Sequence, residues 1–119
     1  LPLMTRPARM QTLSVTELAA LCADPQARPL LLDVREPWET ARACIDPGHG
    51  DAVFVPMWQI PLRLADVDRS RPVVCICHHG ARSAQVVAFL QQQGYPAVYN
   101  LTGGIDAWSR EVDPAVPRY

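Results

Sequence analysis

Continuously apolar segments alternate along the chain with amphipathic and turn-forming ones. Three segments, RPLLLDV at 28–34, DAVFVP at 51–56 and RPVVCIC at 71–77, are the most continuous apolar runs. Such runs are typical of strands that are buried on both faces of a parallel sheet. The segments MQTLS at 10–14 and PAVYNL at 96–101 predict two further strands. The apolar pattern therefore predicts about five strands.

Between these strands the apolar positions follow helical spacing. The segment SVTELAALC at 14–22 opens with Ser14 and has Glu17 three residues later, which is a capping box at a helix start. Gly94 is expected to end a later helix as its C-terminal stop. Three further helices are predicted at residues 60–67, 83–93 and 103–111.

The alternation of strands and helices predicts a three-layer α/β/α fold with a central, mostly parallel, five-stranded sheet. A chain of 119 residues suffices for one domain. We expect an N-terminal extension with the short first strand over 1–12, the domain over 13–112 and a C-terminal tail over 113–119. Ligands of such sheets bind at the carboxyl ends of the strands, and Cys77 lies at one of these ends.

Composition and charge exclude several kinds of function. Eleven basic and twelve acidic residues leave a net charge of −1, so nucleic acid is not an expected partner. All the basic residues are arginine, and the absence of lysine excludes Schiff-base chemistry and a P-loop. No segment has the ~18 apolar residues of a membrane span, and the N-terminal residues lack the apolar core of a signal peptide. We therefore expect a cytoplasmic protein without membrane contact, whose four cysteines are thiols.

The loop CHHGARS at 77–83 is the strongest candidate for chemistry. Cysteine reacts as its thiolate, and a free cysteine has a pKa of about 8.5, so the loop must stabilise the anion. Unpaired N–H groups at the start of the next helix would face the sulfur. Gly80 permits a tight curl, and Arg82 adds a cation at the rim. This cup would bind a small anion such as a sulfur oxyanion, phosphate or arsenate.

Cys77 is accordingly the predicted nucleophile of this loop. The two imidazoles that follow it either donate to substrate oxygens or point to solvent, and the second arrangement is favoured. The candidate metal ligands near the loop are Cys75, Cys77, His78 and His79. We expect no metal, because four ligands within five residues cannot surround one ion tetrahedrally. The predicted binding cup consists of His78, His79, Gly80, Ala81, Arg82 and Ser83.

Three motifs resemble those of the rhodanese domain, in the same order. The segment CHHGARS resembles its active-site loop, LLDVREPWE at 31–39 its early strand signature and YNLTGGIDAW at 99–108 its late signature. The resemblance covers about residues 13–108. It implies a sulfurtransferase that needs no cofactor. Cys77 would take a sulfane sulfur from thiosulfate or a persulfide and pass it to cyanide or a thiol.

Loop length separates this activity from related ones. Phosphatases and arsenate reductases of the same fold have five residues between cysteine and arginine, whereas four lie between Cys77 and Arg82. The shorter loop favours sulfur transfer over those two alternatives. A third alternative is a non-catalytic sulfur-carrier or docking module. One departure from the family is the segment CIDPGHG at 44–50, which replaces its usual His-x-Pro-Gly-Ala-like turn.

Residues outside the loop are predicted to support it. Asp33, Arg35 and Glu39 either pair with the loop arginine or cap a neighbouring turn. Gly103 and Gly104 are expected to let the following helix approach the loop closely. Cys75 either forms a disulfide with Cys77 or packs within its strand, and packing is favoured. The expected partners are a small anionic sulfur donor and, as a second possibility, a protein persulfide or thiol.

Overall fold

The computed structural model describes residues 10–119, which form a five-stranded parallel sheet with helices on both faces. The strands are β1 Gln11–Leu13, β2 Leu30–Asp33, β3 Asp51–Phe54, β4 Val73–Ile76 and β5 Val98–Leu101. The α-helices are α1 Val15–Ala23, α2 Pro37–Arg42, α3 Ala81–Gln92 and α4 Gly104–Glu111. The predicted fold class is confirmed.

The strand order is β1-β5-β4-β2-β3, and every neighbouring pair is parallel. β4 is therefore the central strand, and all four of its residues are buried. Because parallel strands end at the same edge of a sheet, Cys77 lies at the middle of the carboxyl edge. The segments that follow β2 and β5 flank it there.

The sheet separates two apolar clusters, as the period-two alternation of a strand requires. Val73 and Cys75 of β4 face the cluster that contains the apolar side of α3. Val74 and Ile76 face the cluster covered by α1 and α4. Both faces of the central strand are thus filled, which accounts for the continuous apolar run in the sequence.

The predicted helix signals at 14–22 and at Gly94 are confirmed. Ser14 Oγ accepts a hydrogen bond from the Glu17 N–H at 3.1 Å, and the Ser14 N–H donates to Glu17 Oε1 at 2.8 Å. This reciprocal pair is the capping box at the start of α1. Gly94 follows α3 with a φ of 86°, a left-handed conformation that favours glycine.

Several local predictions need correction. The segment 60–67 is not an α-helix but two 3₁₀ segments, Met57–Leu62 and Leu64–Asp66. Pro61 lacks the N–H that a continuing α-helix would use, and short 3₁₀ turns tolerate it. β3 is an edge strand with exposed ends rather than a strand buried on both faces. Helix α2 was not predicted, and α3 begins two residues earlier than expected, at Ala81.

The residues after α4 pack against the domain. Val116 is buried in the cluster beneath α4, and Arg118 Nε donates to Asp106 Oδ1 at 2.9 Å. The boundaries at 1–12, 13–112 and 113–119 remain a prediction, and residues 1–9 lie outside the described part of the chain. Across residues 10–119 no helix is long and apolar enough to cross a membrane. The same residues contain no group of three or more His, Cys, Asp or Glu side chains placed to hold a metal ion.

Candidate active site

Three hydrogen-bond donors converge on the sulfur of Cys77. The thiol is buried, with 1% of the residue exposed. Its Sγ accepts from the Gly80 N–H at 3.1 Å, from the Ser83 N–H at 3.4 Å and from Ser83 Oγ at 3.2 Å. Hydrogen bonds to an ionised acceptor are about twice as strong as neutral ones, so these three donors are placed to stabilise negative charge that develops on the sulfur. The start of α3 adds the positive end of a helix dipole.

Ser83 and Asn100 connect the loop to strand β5 by hydrogen bonds. Ser83 Oγ lies 2.6 Å from Asn100 Oδ1 as well as close to the sulfur, and its single hydrogen serves one acceptor at a time. Asn100 Nδ2 donates to the Gly80 carbonyl at 3.0 Å. Asn100 was not predicted as a site residue. The signal that could have revealed it is a polar side chain within the buried strand β5.

Gly103 and Gly104 bring the start of α4 against the loop. The Ile105 N–H donates to the Cys77 carbonyl at 3.0 Å, and the Asp106 N–H donates to the His78 carbonyl at 3.1 Å. A Cβ on Gly104 would lie 2.4 to 2.5 Å from these two carbonyl oxygens. Because α4 binds the loop carbonyls on one side, the N–H groups of the loop are left to face the sulfur.

Arg82 forms an ion pair with Glu39. Its Nη1 and Nη2 donate to the two carboxylate oxygens at 2.7 and 2.8 Å. Only 4% of the Glu39 side chain is exposed. The hydrogen bonds from Arg82 lower the pKa of Glu39 to about 2, so this carboxylate stays ionised. Arg82 is thus a cation paired with a buried carboxylate, and 34% of its own side chain remains exposed.

Asp33 and Arg35 pair with each other and not with Arg82. Arg35 Nη2 and Nε donate to the two carboxylate oxygens of Asp33 at 2.7 and 2.9 Å. The Arg35 side chain is fully buried, and its Nη2 also donates to the Ala43 carbonyl at 2.7 Å. These contacts fix the segment between β2 and α2, from which Glu39 reaches the loop. Of the three predicted supports, Glu39 is the one that pairs with Arg82.

Tyr119 joins these two ion pairs. Its hydroxyl donates to Glu39 Oε1 at 2.9 Å and accepts from Arg35 Nη1 at 3.0 Å. Its ring lies parallel to the imidazole of His78, with centroids 4.0 Å apart. No sequence signal pointed to this residue, because the contact joins the tail to loops far away in the chain.

The two imidazoles of the loop lie in different surroundings. His78 is stacked between Tyr119 and His79, and burial lowers the pKa of its imidazole. The side chain of His79 is two-thirds exposed, with Nδ1 4.0 Å from Asp106 Oδ2. The predicted solvent-facing arrangement therefore describes His79 and not His78. Ala81 is exposed at the first position of α3.

The other three cysteines are also free thiols. Cys75 is completely buried on β4, and burial strongly raises its pKa. Burial raises the pKa of Cys22 to about 11. Cys44 is exposed, and its S–H donates to the Thr40 carbonyl. Among residues 10–119, none of these three sulfurs has the set of donors that surrounds Cys77.

Residues 14–111 match the family described as the Rhodanese-like domain. The chain belongs to this family. The rhodanese-like domain is 47% identical over 87 residues to a sulfurtransferase of Allochromatium vinosum, covering 73% of this chain and 78% of that protein. It is 41% identical over 56 residues to the thiosulfate sulfurtransferase GlpE of Actinobacillus pleuropneumoniae serotype 3, covering 47% and 52% of the two chains. A rhodanese-like domain protein of Staphylococcus aureus superposes with a TM-score of 0.76 at 28% identity, covering 92% of this chain and 99% of that one.

Proposed function

We propose that this rhodanese-like domain is a sulfurtransferase in which Cys77 carries the transferred sulfur as a persulfide. The observation that carries the proposal is the convergence of two backbone N–H groups and one hydroxyl on the buried Cys77 Sγ. Such an arrangement stabilises the negative charge of the nucleophile before and after each transfer. Relatives named sulfurtransferase support the same activity.

The reaction consists of two displacements at sulfur. The Cys77 thiolate attacks the outer sulfur of thiosulfate, a new S–S bond forms, and sulfite leaves with the electron pair of the broken S–S bond. An acceptor nucleophile, cyanide or a thiolate, then attacks the outer sulfur of the persulfide. Cys77 leaves as the thiolate with its electron pair. A low-molecular-weight or protein persulfide can replace thiosulfate as the donor, with a thiolate as the leaving group.

The loop residues divide the remaining tasks. Gly80 and Ser83 bind the reacting sulfur, while His78, His79 and Ala81 line the approach to it. Arg82 keeps the loop in place through Glu39, and Gly103 and Gly104 let α4 hold the loop carbonyls. No cofactor or metal takes part in this reaction. A reducing cytoplasmic environment, in which Cys77 stays a thiol, is part of the proposal.

Sulfur loading tests the proposal directly. After incubation with thiosulfate and removal of the excess, intact-mass analysis should show one added sulfur atom that dithiothreitol removes. Peptide analysis should place it on Cys77. Cys77→Ser should take up none, while Cys75→Ser, a matched change two residues earlier within β4, should still be loaded. Sulfur carried chiefly by Cys44 or another cysteine would contradict the assignment.

Steady-state assays separate the alternatives. Thiosulfate with cyanide should give thiocyanate, whereas phosphate esters and arsenate should stay at background, because the phosphatases and arsenate reductases of this fold have five residues between cysteine and arginine and this loop has four. Insertion of one glycine after Gly80 should abolish sulfur transfer, since a displacement of about 1 Å can cost a hundredfold in rate. Efficient hydrolysis of phosphate esters would favour the phosphatase. Loading of Cys77 without turnover by any acceptor would favour a sulfur carrier.

A further inference from the structure

Tyr119 contacts the site from a segment outside the family match. The match ends at residue 111, whereas Tyr119 lies beside Glu39 and His78. The tail is held on the way by Val116, which is buried, and by Arg118, which pairs with Asp106. The position of the phenol is therefore fixed by the packing of the preceding tail residues and by its own contacts in the site.

The hydroxyl of Tyr119 has two charged partners. It donates to Glu39 Oε1 and accepts from Arg35 Nη1, so it lies between the Asp33–Arg35 pair and the Glu39–Arg82 pair. Burial raises the pKa of Tyr119, which keeps this donor protonated. Hydrogen bonds to charged groups are the stronger ones, and here they fix the carboxylate that holds Arg82.

The ring of Tyr119 determines the surroundings of His78. The two rings are within 7° of parallel, and His79 covers the opposite face of His78 at 4.1 Å. His78 Nε2 is buried and has no hydrogen-bond partner among residues 10–119. The titratable or charged groups around this imidazole are His79, Asp106, Glu39 and Arg82, in addition to the phenol. With Nε2 unpaired, the ring stack is what defines the orientation of His78.

We propose that Tyr119 is a positioning residue of the Cys77 site: its ring fixes His78 beside the loop, and its hydroxyl fixes Glu39, which holds Arg82. Its kinetic consequence rests on the proposed sulfur transfer, whereas its effect on His78 does not. The ring and the hydroxyl have separate partners, so two substitutions separate their effects. Tyr119→Phe keeps the ring and removes the hydroxyl, and Tyr119→Ala removes both.

The first measurement is a pH titration of His78. It is monitored by NMR on protein that is labelled with ¹³C in its histidine rings. The chain has three histidines, and His78→Gln identifies the signal. Tyr119→Ala should raise the titration midpoint of His78, because its imidazole becomes hydrated and its charged form less unfavourable. Tyr119→Phe should leave this midpoint where it is in the unchanged protein. A tyrosine that only stabilised the tail would not produce this difference between the two variants.

The second measurement is thiosulfate:cyanide sulfur transfer. Tyr119→Phe should lower kcat/KM roughly threefold, because the two hydrogen bonds of the hydroxyl affect the sulfur only indirectly, through Glu39 and Arg35. Tyr119→Ala should lower it about tenfold or more, because displacement of the loop is added. Tyr99 lies on β5, and Tyr99→Phe is the matched control because it also removes one phenol hydroxyl. This variant should retain full activity. Thermal unfolding of each variant shows whether it is folded, and Tyr119→Leu replaces Tyr119→Ala if the latter is not.

The outcomes are distinguishable. An unchanged His78 midpoint in a folded Tyr119→Ala or Tyr119→Leu variant would overturn the proposal, whatever the kinetics. Kinetics that match those of Tyr99→Phe in both Tyr119 variants would overturn it as well. If the unchanged protein takes no sulfur from thiosulfate or from a persulfide, the proposed function falls. In that event the titration of His78 still decides whether Tyr119 positions it.

Discussion

Glu39 is the residue on which the contacts behind the Cys77 loop depend. Its carboxylate accepts from both Nη groups of Arg82, from the Tyr119 hydroxyl and from the Glu36 N–H. A carboxylate that is almost completely buried is tolerable only with such partners. Among residues 10–119 the donors to Cys77 Sγ are Gly80 and Ser83, whereas Arg82 donates to Glu39.

Glu39→Gln should lower the free energy of unfolding at neutral pH. It should also make that free energy depend less on pH in the acidic range. The pKa of Glu39 is lowered from 4.5 to about 2 in the folded state. A lowered pKa contributes stability that is fully present above pH 4.5 and is lost as the pH falls towards 2. The shift corresponds to a contribution of Glu39 to the free energy of unfolding on the order of 3 kcal/mol. Urea unfolding between pH 3 and pH 7 should show the two proteins converging towards low pH. A difference that does not vary with pH would contradict the assigned ionisation of Glu39.

Ser83→Ala should slow the loading of Cys77 while the fold persists. The substitution removes the hydroxyl donor to the sulfur and leaves the two N–H donors in place. Loss of one hydrogen bond to a charged acceptor suggests a rate decrease of roughly tenfold to a hundredfold. Ser109→Ala is a matched control, because it removes a buried hydroxyl that bonds to the Ile105 carbonyl within α4. Single-turnover loading by thiosulfate, followed by mass spectrometry, measures the effect. Equal rates in both variants would show that the hydroxyl has no role.

Two helices meet at the loop and bind opposite parts of its backbone. The start of α3 supplies the Ser83 N–H to the sulfur, and the start of α4 binds the carbonyls of Cys77 and His78. Each helix thereby uses N–H groups that its first turn leaves unpaired. The orientation of the loop amides is consequently fixed before any substrate arrives.

Gly104→Ala should destabilise the protein more than Gly94→Ala. Both glycines have a positive φ angle, 60° at Gly104 and 86° at Gly94. The shared left-handed conformation costs about 1–2 kcal/mol with alanine. At Gly104 the new Cβ would also overlap the carbonyl oxygens of the loop, whereas at Gly94 the nearest atom is Arg69 Nη1 at 3.8 Å. We expect an additional loss of about 1–3 kcal/mol in the free energy of unfolding at Gly104, as for overpacking. Urea unfolding and sulfur loading check both variants. Equal behaviour would mean that the close approach of α4 is not required.

At the scale of the whole molecule, the sheet distributes the four cysteines between very different environments. Cys75 lies in the central strand, Cys22 on the face of α1 that packs on the sheet, and Cys44 at the surface. Cys77 alone is placed at the carboxyl edge where two helices begin. The environment of each thiol therefore depends on its position in the fold.

Alkylation should separate these environments. In the native protein iodoacetamide should modify Cys44 readily, whereas Cys22 and Cys75 should react only on unfolding, because burial raises the pKa of both thiols and excludes the reagent. Peptide mapping with and without urea measures each site. Cys44→Ser removes the exposed thiol and should abolish most of the native-state reaction outside Cys77. Rapid native labelling of Cys75 would contradict its position in the core.

Much of this fold is predictable from local patterns. The strands at 28–34 and 71–77 are recognisable because burial on both faces leaves an uninterrupted apolar run, and α1 because its cap lies within four residues. The short helix α2 and the 3₁₀ segments have too few turns to show a periodicity. The loop at Cys77 follows from its sequence, and its contact with Glu39 is one of the two arrangements that the sequence predicts. Its contacts with Asn100 and Tyr119 do not follow from the sequence. These contacts depend on how segments distant in the chain come together.

The central position of β4 has a consequence for the protein during its synthesis. A parallel sheet pairs strands that are distant in the chain, and here β4 needs both β2 and the later β5 as neighbours. Asn100 and the start of α4, which hold the loop in shape, leave the ribosome after Cys77. In the nascent chain Cys77 therefore lacks these supports of its loop. The set of donors around Cys77 Sγ is complete only once the sheet has closed around β4, so the sulfur transfer proposed above requires the finished domain.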